Sequence, residues 1–370
     1  MKILVTGANG FIGKNLISEL KNKGYTDIYQ CDIETTEEEL NKYTIDCEFV
    51  YHLAGVNRPE NIEDFMKGNF GFTSILLDNL KKHNNKCPIL ITSSIQAELD
   101  NDYGKSKKAG EDLIFNYGTE FDVKTYVYRL PNVFGKWCRP NYNSVIATFC
   151  NNIANNLEIT VNDENKELTL VYIDDVVNEF INCLKGITNK ENNFCYIPIT
   201  HTKTLGEIAN LIKSFKESRN NLLIPNMENG FIKKLYSTYL SYLKTNEFSY
   251  PVKMNVDERG SFTELFKSLD RGQVSVNIAK PGITKGNHWH HTKNEKFVVV
   301  SGNGLIQFRK IDSNEIIEYY VSGDKIEVVD IPVGYTHNIK NIGTTDLVTV
   351  MWCNELFNKE KPDTYFLNIK

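Results

Sequence analysis

Near residue 248 the spacing of apolar residues changes period, and that change limits the possible folds more than any single motif. Upstream, short apolar runs at 3–6, 49–53, 89–92 and 125–128 alternate with longer amphipathic stretches such as 14–23 and 111–117. Such alternation builds βαβ units and a parallel sheet. Downstream, 274–278, 296–300, 304–309, 315–321 and 347–352 read as short strands separated by glycine or asparagine turns, which predicts an all-β sandwich or barrel. At 370 residues the chain exceeds the size at which single cores stop growing. The expected division is therefore an α/β domain over 1–246 and an all-β domain over 247–370. Within 214–246, apolar residues recur at helical spacing in the tyrosine-rich stretch 235–243, which is expected to close the first domain as a helix.

A formal charge of -5 and a pI near 5.9, with Lys and Arg scattered, provide no electrostatic footprint for nucleic acid or an anionic membrane. The apolar run after Met1 stops at Gly7, too soon for a signal peptide, and no later run approaches the length of a bilayer span. The eight cysteines lack paired spacing and read as reduced thiols of a cytoplasmic protein.

Residues 2–6 form an apolar strand that runs into Gly7-Ala8-Asn9-Gly10-Phe11-Ile12-Gly13 and then an amphipathic helix. Glycine permits the tight turn and lets the backbone approach a pyrophosphate lying over the helix N-terminus. A second strand ends at Asp32, placed to accept hydrogen bonds from an adenosine ribose. A further strand, taken as the fourth, ends in His52-Leu53-Ala54-Gly55, small enough for a cofactor to lie against the backbone. Tyr103 and Lys107 fall one helical turn apart, so a phenol with an ordinary pKa of about 10 sits beside an ammonium able to lower it and make it a proton donor to a carbonyl. Ser94, after an apolar strand, offers a hydroxyl for the substrate oxygen.

These residues resemble the extended short-chain dehydrogenase/reductase family, which includes sugar-nucleotide epimerases, dehydratases and reductases. The segment Arg129-Leu130-Pro131-Asn132-Val133-Phe134-Gly135 is similar to the family's sugar-nucleotide pocket, and Tyr172-Ile173-Asp174-Asp175-Val176 to a later signature. The resemblance implies a Rossmann-type doubly wound sheet and Ser94, Tyr103 and Lys107 as the catalytic set. It implies Asn132 near the substrate, and a cofactor held by Gly7, Gly10, Phe11, Ile12, Gly13, Asp32, Leu53, Ala54, Gly55, Tyr103 and Lys107. The short gap between Ser94 and Tyr103 departs from the family pattern and implies a trimmed loop.

In the second domain His288 and His290 are two apart, which on a strand points both the same way. With Glu295 and His337 they supply three imidazoles and a carboxylate, suited to zinc or another divalent transition metal. Four of the chain's seven histidines, counting His291, cluster here. The spacing resembles the two motifs of the cupin superfamily, whose fold is a jelly-roll β-barrel. The segment from Asp257 to Glu264 is similar to the entry strand of cupin-like nucleotide-sugar keto-epimerases, a likeness implying Arg259 and Lys285 on phosphate oxygens and Glu264 on the nucleotide or sugar. In those epimerases the counterpart of His288 is a general base without metal; if His288 is a ligand, the base falls to His291, Lys293 or Tyr335.

The fusion resembles the bifunctional capsule and O-antigen nucleotide-sugar enzymes. That likeness implies C3 epimerisation of a UDP-2-acetamido-2,6-dideoxy-4-hexulose in the cupin, then C4-keto reduction with NADPH, and a homodimer. Gln30-Cys31-Asp32-Ile33-Glu34 supplies no base for a 2'-phosphate and offers two acids, so NADH stays an alternative. Two other readings stand beside it: an epimerase or dehydratase with tightly bound NAD, and a non-catalytic cupin fusion that binds a ligand.

Overall fold

The computed structural model describes residues 1–370. Its contacts divide the chain into two compact units, Met1–Lys213 with Gly230–Lys244, and Ser214–Asn229 with Thr245–Lys370.

The first unit begins β1 (Ile3–Thr6), α1 (Phe11–Asn22), β2 (Ile28–Cys31), α2 (Glu37–Asp46), β3 (Phe49–His52), α3 (Glu63–Met66), α4 (Phe72–Lys82) and β4 (Ile89–Ser94). It continues α5 (Asp102–Phe121), β5 (Thr125–Leu130), β6 (Asn132–Phe134), α6 (Val145–Ala154), β7 (Glu167–Tyr172), α7 (Ile173–Cys183), β8 (Lys190–Glu191), β9 (Phe194–Cys195) and β10 (His201–Thr204). Helix α8 (Leu205–Asn221) runs on toward residue 221, and α9 (Gly230–Leu240) belongs to the first unit again. The strand ending at His52 is thus the third in chain order rather than the fourth, because 37–46 form a helix.

A seven-stranded sheet is ordered β2-β1-β3-β4-β5-β9-β8, with β8 its one antiparallel member. Successive side chains of β1 go to opposite faces. Ile3 and Val5 join Leu16 and Leu20 of α1 and Val176 and Phe180 of α7, while Leu4 joins Leu40 of α2, Leu76 and Leu80 of α4 and Ile114 of α5. Covering both faces is what the continuous apolar runs require, since strands in such a sheet have no wet side. Helix α2 starts where it does because the Thr36 hydroxyl accepts from the Glu39 N–H while the Glu39 carboxylate accepts from the Thr36 N–H.

The second unit holds β11 (Met254–Asp257), β12 (Gly260–Ser268), β13 (Gly272–Ala279), β14 (Thr284–Trp289), β15 (Glu295–Ser301) and β16 (Asn303–Lys310). Then come β17 (Ile316–Ser322), β18 (Val328–Ile331), β19 (Tyr335–Asn341), β20 (Leu347–Cys353) and β21 (Tyr365–Phe366). Two antiparallel sheets form, β11-β12-β13-β20-β15-β18 and β17-β16-β19-β14-β21. Ala279, Phe297 and Leu347 from the first meet Ile306, Phe308 and Ile339 from the second in one core.

Residues 214–229, expected to belong wholly to the first domain, group with this second unit. The reason is a strand-like bridge: Ile224 donates to the Lys267 carbonyl and Lys267 to the Leu222 carbonyl, each at 2.8 Å, so backbone groups of 222–224 are satisfied along β12.

Replacing Thr36 by Ala removes its hydroxyl from the capping box and is expected to cost about 1 kcal/mol of first-unit stability, read as a lower urea midpoint at unchanged slope.

Candidate active sites

At the end of β1 the chain turns at Gly7, whose φ is +67°. A Cβ there would stand 2.8 Å from the Ala54 backbone nitrogen, and one on Gly13 would stand 2.2 Å from the Gly7 carbonyl oxygen. No side chain fits at either position. Gly10 precedes α1, whose first turn carries no acid and whose N-terminus lacks a side-chain cap, leaving backbone N–H groups for an anion. Phe11 and Ile12 turn inward and pack on the core, so they brace the turn. The Asp32 carboxylate accepts the Asn9 N–H at 2.6 Å and the Ile33 N–H at 2.9 Å. It thus sits against the glycine turn at the end of β2.

Leu53, Ala54 and Gly55 continue β3 past a buried histidine that matters more than its place in the sequence suggests. The Thr73 hydroxyl donates to the Asn69 carbonyl at 2.6 Å and therefore accepts from His52 Nε2 at 2.8 Å. His52 Nδ1 then accepts from the Thr6 hydroxyl at 2.8 Å, and Thr6 Oγ1 accepts the Ala54 N–H at 3.3 Å. Burial pushes the imidazole down to about 3, so it is neutral and ties the ends of β1 and β3 to α4.

The catalytic candidates come together. The Ser94 hydroxyl lies beside the Tyr103 phenol, and Lys107 Nζ lies 6.0 Å from the Tyr103 ring centroid while donating to the Thr92 carbonyl at 3.2 Å. Burial pushes Lys107 down from 10.5 to about 8, with Glu111 acting weakly the other way. Desolvation raises the Tyr103 phenol, the neighbouring Ser94 hydroxyl opposes that, and Lys107 is turned to Thr92. Of the two neighbouring serines, Ser93 is engaged elsewhere, donating to Glu111 at 2.5 Å. Glu111 is also gripped by Arg129 through two hydrogen bonds of 2.9 and 2.6 Å, and Arg129 holds Glu98 at 2.7 Å. Arg129 thereby fastens β5 to α5, the helix that carries Tyr103, while the Ser93–Glu111 bond ties the end of β4 to the same helix. Asn132 lies exposed on β6 and donates to the Thr169 carbonyl at 3.1 Å.

In the second unit, donor atoms of His288, His290, Glu295 and His337 all lie within 4.8 Å of one another. A bulge at Asn287, φ +59°, re-aims His288 on β14. Glu295 Oε2 stands 3.3 Å from His337 Nε2 and 3.6 Å from His290 Nε2. These three atoms are buried without a hydrogen-bond partner, a costly state that a metal ion would relieve. Burial pushes His288 down to about 4, which keeps its lone pair free near neutral pH. Burial works to raise the Glu295 carboxyl, yet the adjacent imidazoles hold it below the usual carboxylate range. Three imidazoles and one carboxylate fit zinc or a similar ion.

Above this set lies a cavity of about 1410 Å³ lined by Arg259, Glu264, Lys285, His288, Lys293 and Glu295, among others. Arg259 pairs with Asp257 at 2.6 Å and Glu264 with Lys267 at 2.7 Å. Lys285 donates to Asn277 Oδ1 and the Ile278 carbonyl, each at 2.8 Å, and burial lowers its pKa. Of the candidate bases, Lys293 faces the cavity with Nζ 3.8 Å from Glu295 Oε1. His291 is exposed and meets Trp289 and Tyr365 edge-on, and Tyr335 packs on the core. Cavity residues the sequence did not single out include Arg219 and Asn277, because nothing local marks 214–229 as part of this unit.

Residues 3–194 match the model of the NAD dependent epimerase/dehydratase family. The chain belongs to that family. Residues 255–365 of this family member match the polysaccharide biosynthesis C-terminal domain. Over 369 residues, 100% of this chain and 99% of the relative, it is 43% identical to the UDP-2-acetamido-2,6-beta-L-arabino-hexul-4-ose reductase of Pseudomonas aeruginosa. The crystal structure of the capsular polysaccharide assembling protein CapF from Staphylococcus aureus is similar at 57% identity and a TM-score of 0.95, each chain covered in full. UDP-glucose 4-epimerase from Thermotoga maritima, at 22% identity and a TM-score of 0.51 over 58% of this chain and 82% of that one, shares the fold of the first unit. No helix of the chain is long and apolar enough to cross a membrane.

Glu295→Ala is expected to weaken zinc binding by at least about 100-fold, the upper end of what an outer partner of a ligand contributes, measured by competition with a chromophoric chelator.

Proposed function

We propose that this chain acts twice on one ketone: the second unit inverts C3 of a UDP-2-acetamido-2,6-dideoxy-4-hexulose and the first reduces the C4 carbonyl. The product is UDP-N-acetyl-6-deoxy-L-talosamine, on the route to UDP-N-acetyl-L-fucosamine for capsular or O-antigen polysaccharide. The observation that carries this is the presence in one chain of two distinct proton-handling sites. One is the Ser94–Tyr103–Lys107 group, and the other is the converging His288, His290, Glu295 and His337 under a cavity lined by Arg259 and Lys285. Full-length similarity to a UDP-sugar reductase and to a capsular polysaccharide assembling protein supports it.

The order follows from chemistry. A proton beside a ketone can ionise because the carbonyl accepts the charge, so inversion must come before the ketone is consumed. When bound, zinc or another divalent transition ion held by His288, His290, Glu295 and His337 supplies positive charge that favours this ionisation. Arg259 and Lys285 face the diphosphate and Glu264 the nucleotide or sugar. Lys293 is the base candidate placed in the cavity, with His288 the alternative if no metal binds.

In the first unit, Gly7, Gly10 and Gly13 open the floor for a dinucleotide, Asp32 reaches its adenosine ribose, and Leu53 to Gly55 line its path. When bound, NADPH supplies hydride to C4, with NADH the alternative cofactor. Desolvation keeps Tyr103 protonated, which suits it to give its proton to the C4 oxygen. Ser94 holds the substrate oxygen beside that phenol, and Lys107 holds positive charge behind it. Asn132 stands near the sugar. The enzyme is expected to work as a homodimer in the cytoplasm, where its free cysteines stay reduced.

In deuterated water with the UDP 4-keto sugar and NADPH, deuterium should enter C3 of a product reduced at C4. Tyr103→Phe should slow reduction roughly 10²–10⁴-fold while exchange at C3 continues. Reduction without exchange would refute the two-step scheme. Stoichiometric NAD in the purified chain with no need for added cofactor would favour a tight-NAD epimerase, and full function in Tyr103→Phe a ligand-binding fusion.

The rate of reduction should fall as pH rises through about 8, where Lys107 loses its charge. Stability should move oppositely. Between about 8 and about 10.4 the unfolded lysine holds a proton that the folded one has released, so the first unit gains stability with rising pH across that window. Urea midpoints from pH 7.5 to 10 for the wild type and Lys107→Met check the sign.

A further inference from the structure

Building on the metal assignment above, we propose that Asp363 is the positioning residue of the second unit's ligand set. It buckles the segment after β20 to the loop between β14 and β15, so that metal affinity depends on it.

Both halves of the residue are used. The Asp363 backbone carbonyl lies 2.6 Å from His290 Nδ1, and because a carbonyl can only accept, the imidazole proton is on Nδ1. That leaves the lone pair on Nε2, the buried atom that faces Glu295. The Asp363 carboxylate accepts three successive backbone N–H groups, from His291 at 3.0 Å and from Thr292 and Lys293 at 2.9 Å each. The Thr292 hydroxyl adds a fourth bond at 3.1 Å. These three residues are the stretch that leaves His290 and leads to Glu295. One side chain therefore shapes the loop joining two ligands while its own backbone sets the tautomer of one of them.

Two further observations separate this from an incidental surface contact. Asp363 has φ +34°, in the left-handed region that few non-glycine residues occupy, and such positions persist only where surrounding contacts over-determine them. Immediately beyond it, β21 pairs with the ligand strand, His288 opposite Phe366 and Trp289 opposite Tyr365, and the Leu367 N–H donates to the carbonyl of the bulged Asn287 at 2.9 Å. The strap is thus tied to β14 on one side of Asp363 and to the ligand loop at Asp363 itself. Metal ligands depend on such outer partners for orientation, and losing one typically weakens binding roughly 10–100-fold. Linkage makes the effect reciprocal: an ion that binds more tightly when the buckle is closed must hold the buckle closed by the same factor.

The test uses the full chain and zinc alone, with affinity measured by chelator competition at fixed pH. Asp363→Asn keeps the carbonyl and the size of the side chain but replaces one acceptor oxygen with a donor nitrogen. Zinc should bind roughly 10–100-fold more weakly, with an unchanged far-ultraviolet circular dichroism spectrum. Thr292→Val, which deletes a single donor to the same carboxylate, should act in the same direction and by less. Zinc should slow hydrogen exchange at the amides of 291–293 in the wild type and lose that effect in Asp363→Asn. Equal zinc affinity in wild type and Asp363→Asn, or exchange at 291–293 that ignores zinc, overturns the proposal while leaving the metal assignment intact. A wild-type chain that binds zinc no better than His288→Ala overturns both.

Discussion

A buried polar atom without a partner costs about 1–3 kcal/mol, and the second unit keeps several of them together on purpose of geometry rather than by oversight of packing. Nε2 of His290, Nε2 of His337 and Oε2 of Glu295 converge without hydrogen bonds, and His337 Nδ1 is unpartnered as well, whereas His290 Nδ1 donates to the Asp363 carbonyl. The surrounding strands hold this arrangement against its tendency to relax. Backbone pairing of β14 with β19 and β21, the bulge at Asn287 and the Asp363 contacts fix the backbone that carries the imidazoles.

The first unit meets a related constraint with a charge. Lys107 carries its ammonium out of bulk water and is given the Thr92 carbonyl, so its pKa drops into the range where it can respond to its surroundings. The site stays shaped because His52 joins three elements beneath the turn and the Arg129–Glu111 pair joins β5 to α5. Neither group has to touch the substrate to matter. Both decide where the residues that do so are placed.

Much of this was legible before any fold was known, for identifiable reasons. The spacing of Gly7, Gly10 and Gly13 reports a backbone requirement within seven residues, and Tyr103 with Lys107 reports one helical turn. His288, His290, Glu295 and His337 are chemically rare enough as a group to stand out. Asp363 was not legible, since it is one aspartate in a polar stretch 70 or more residues from the groups it holds. The bridge from 222–224 to Lys267 was hidden for the same reason, and His52 was read only as the end of a strand. Spacing along a helix puts Lys107 one turn from Tyr103 but says nothing about what else the ammonium reaches, here the Thr92 carbonyl.

The sequence by itself determined what short-range rules can determine: two hydrophobic periods and therefore two architectures, a turn only glycine can make, and residue types capable of proton transfer and metal ligation. The tertiary structure alone decided which candidate base faces the cavity, which unit residues 214–229 join and which tautomer His290 adopts. The division has a physical cause. Backbone conformation and side-chain chemistry are properties of a few neighbouring residues, whereas hydrogen-bond partners, burial and the pKa values that follow from them depend on atoms brought together from distant parts of the chain.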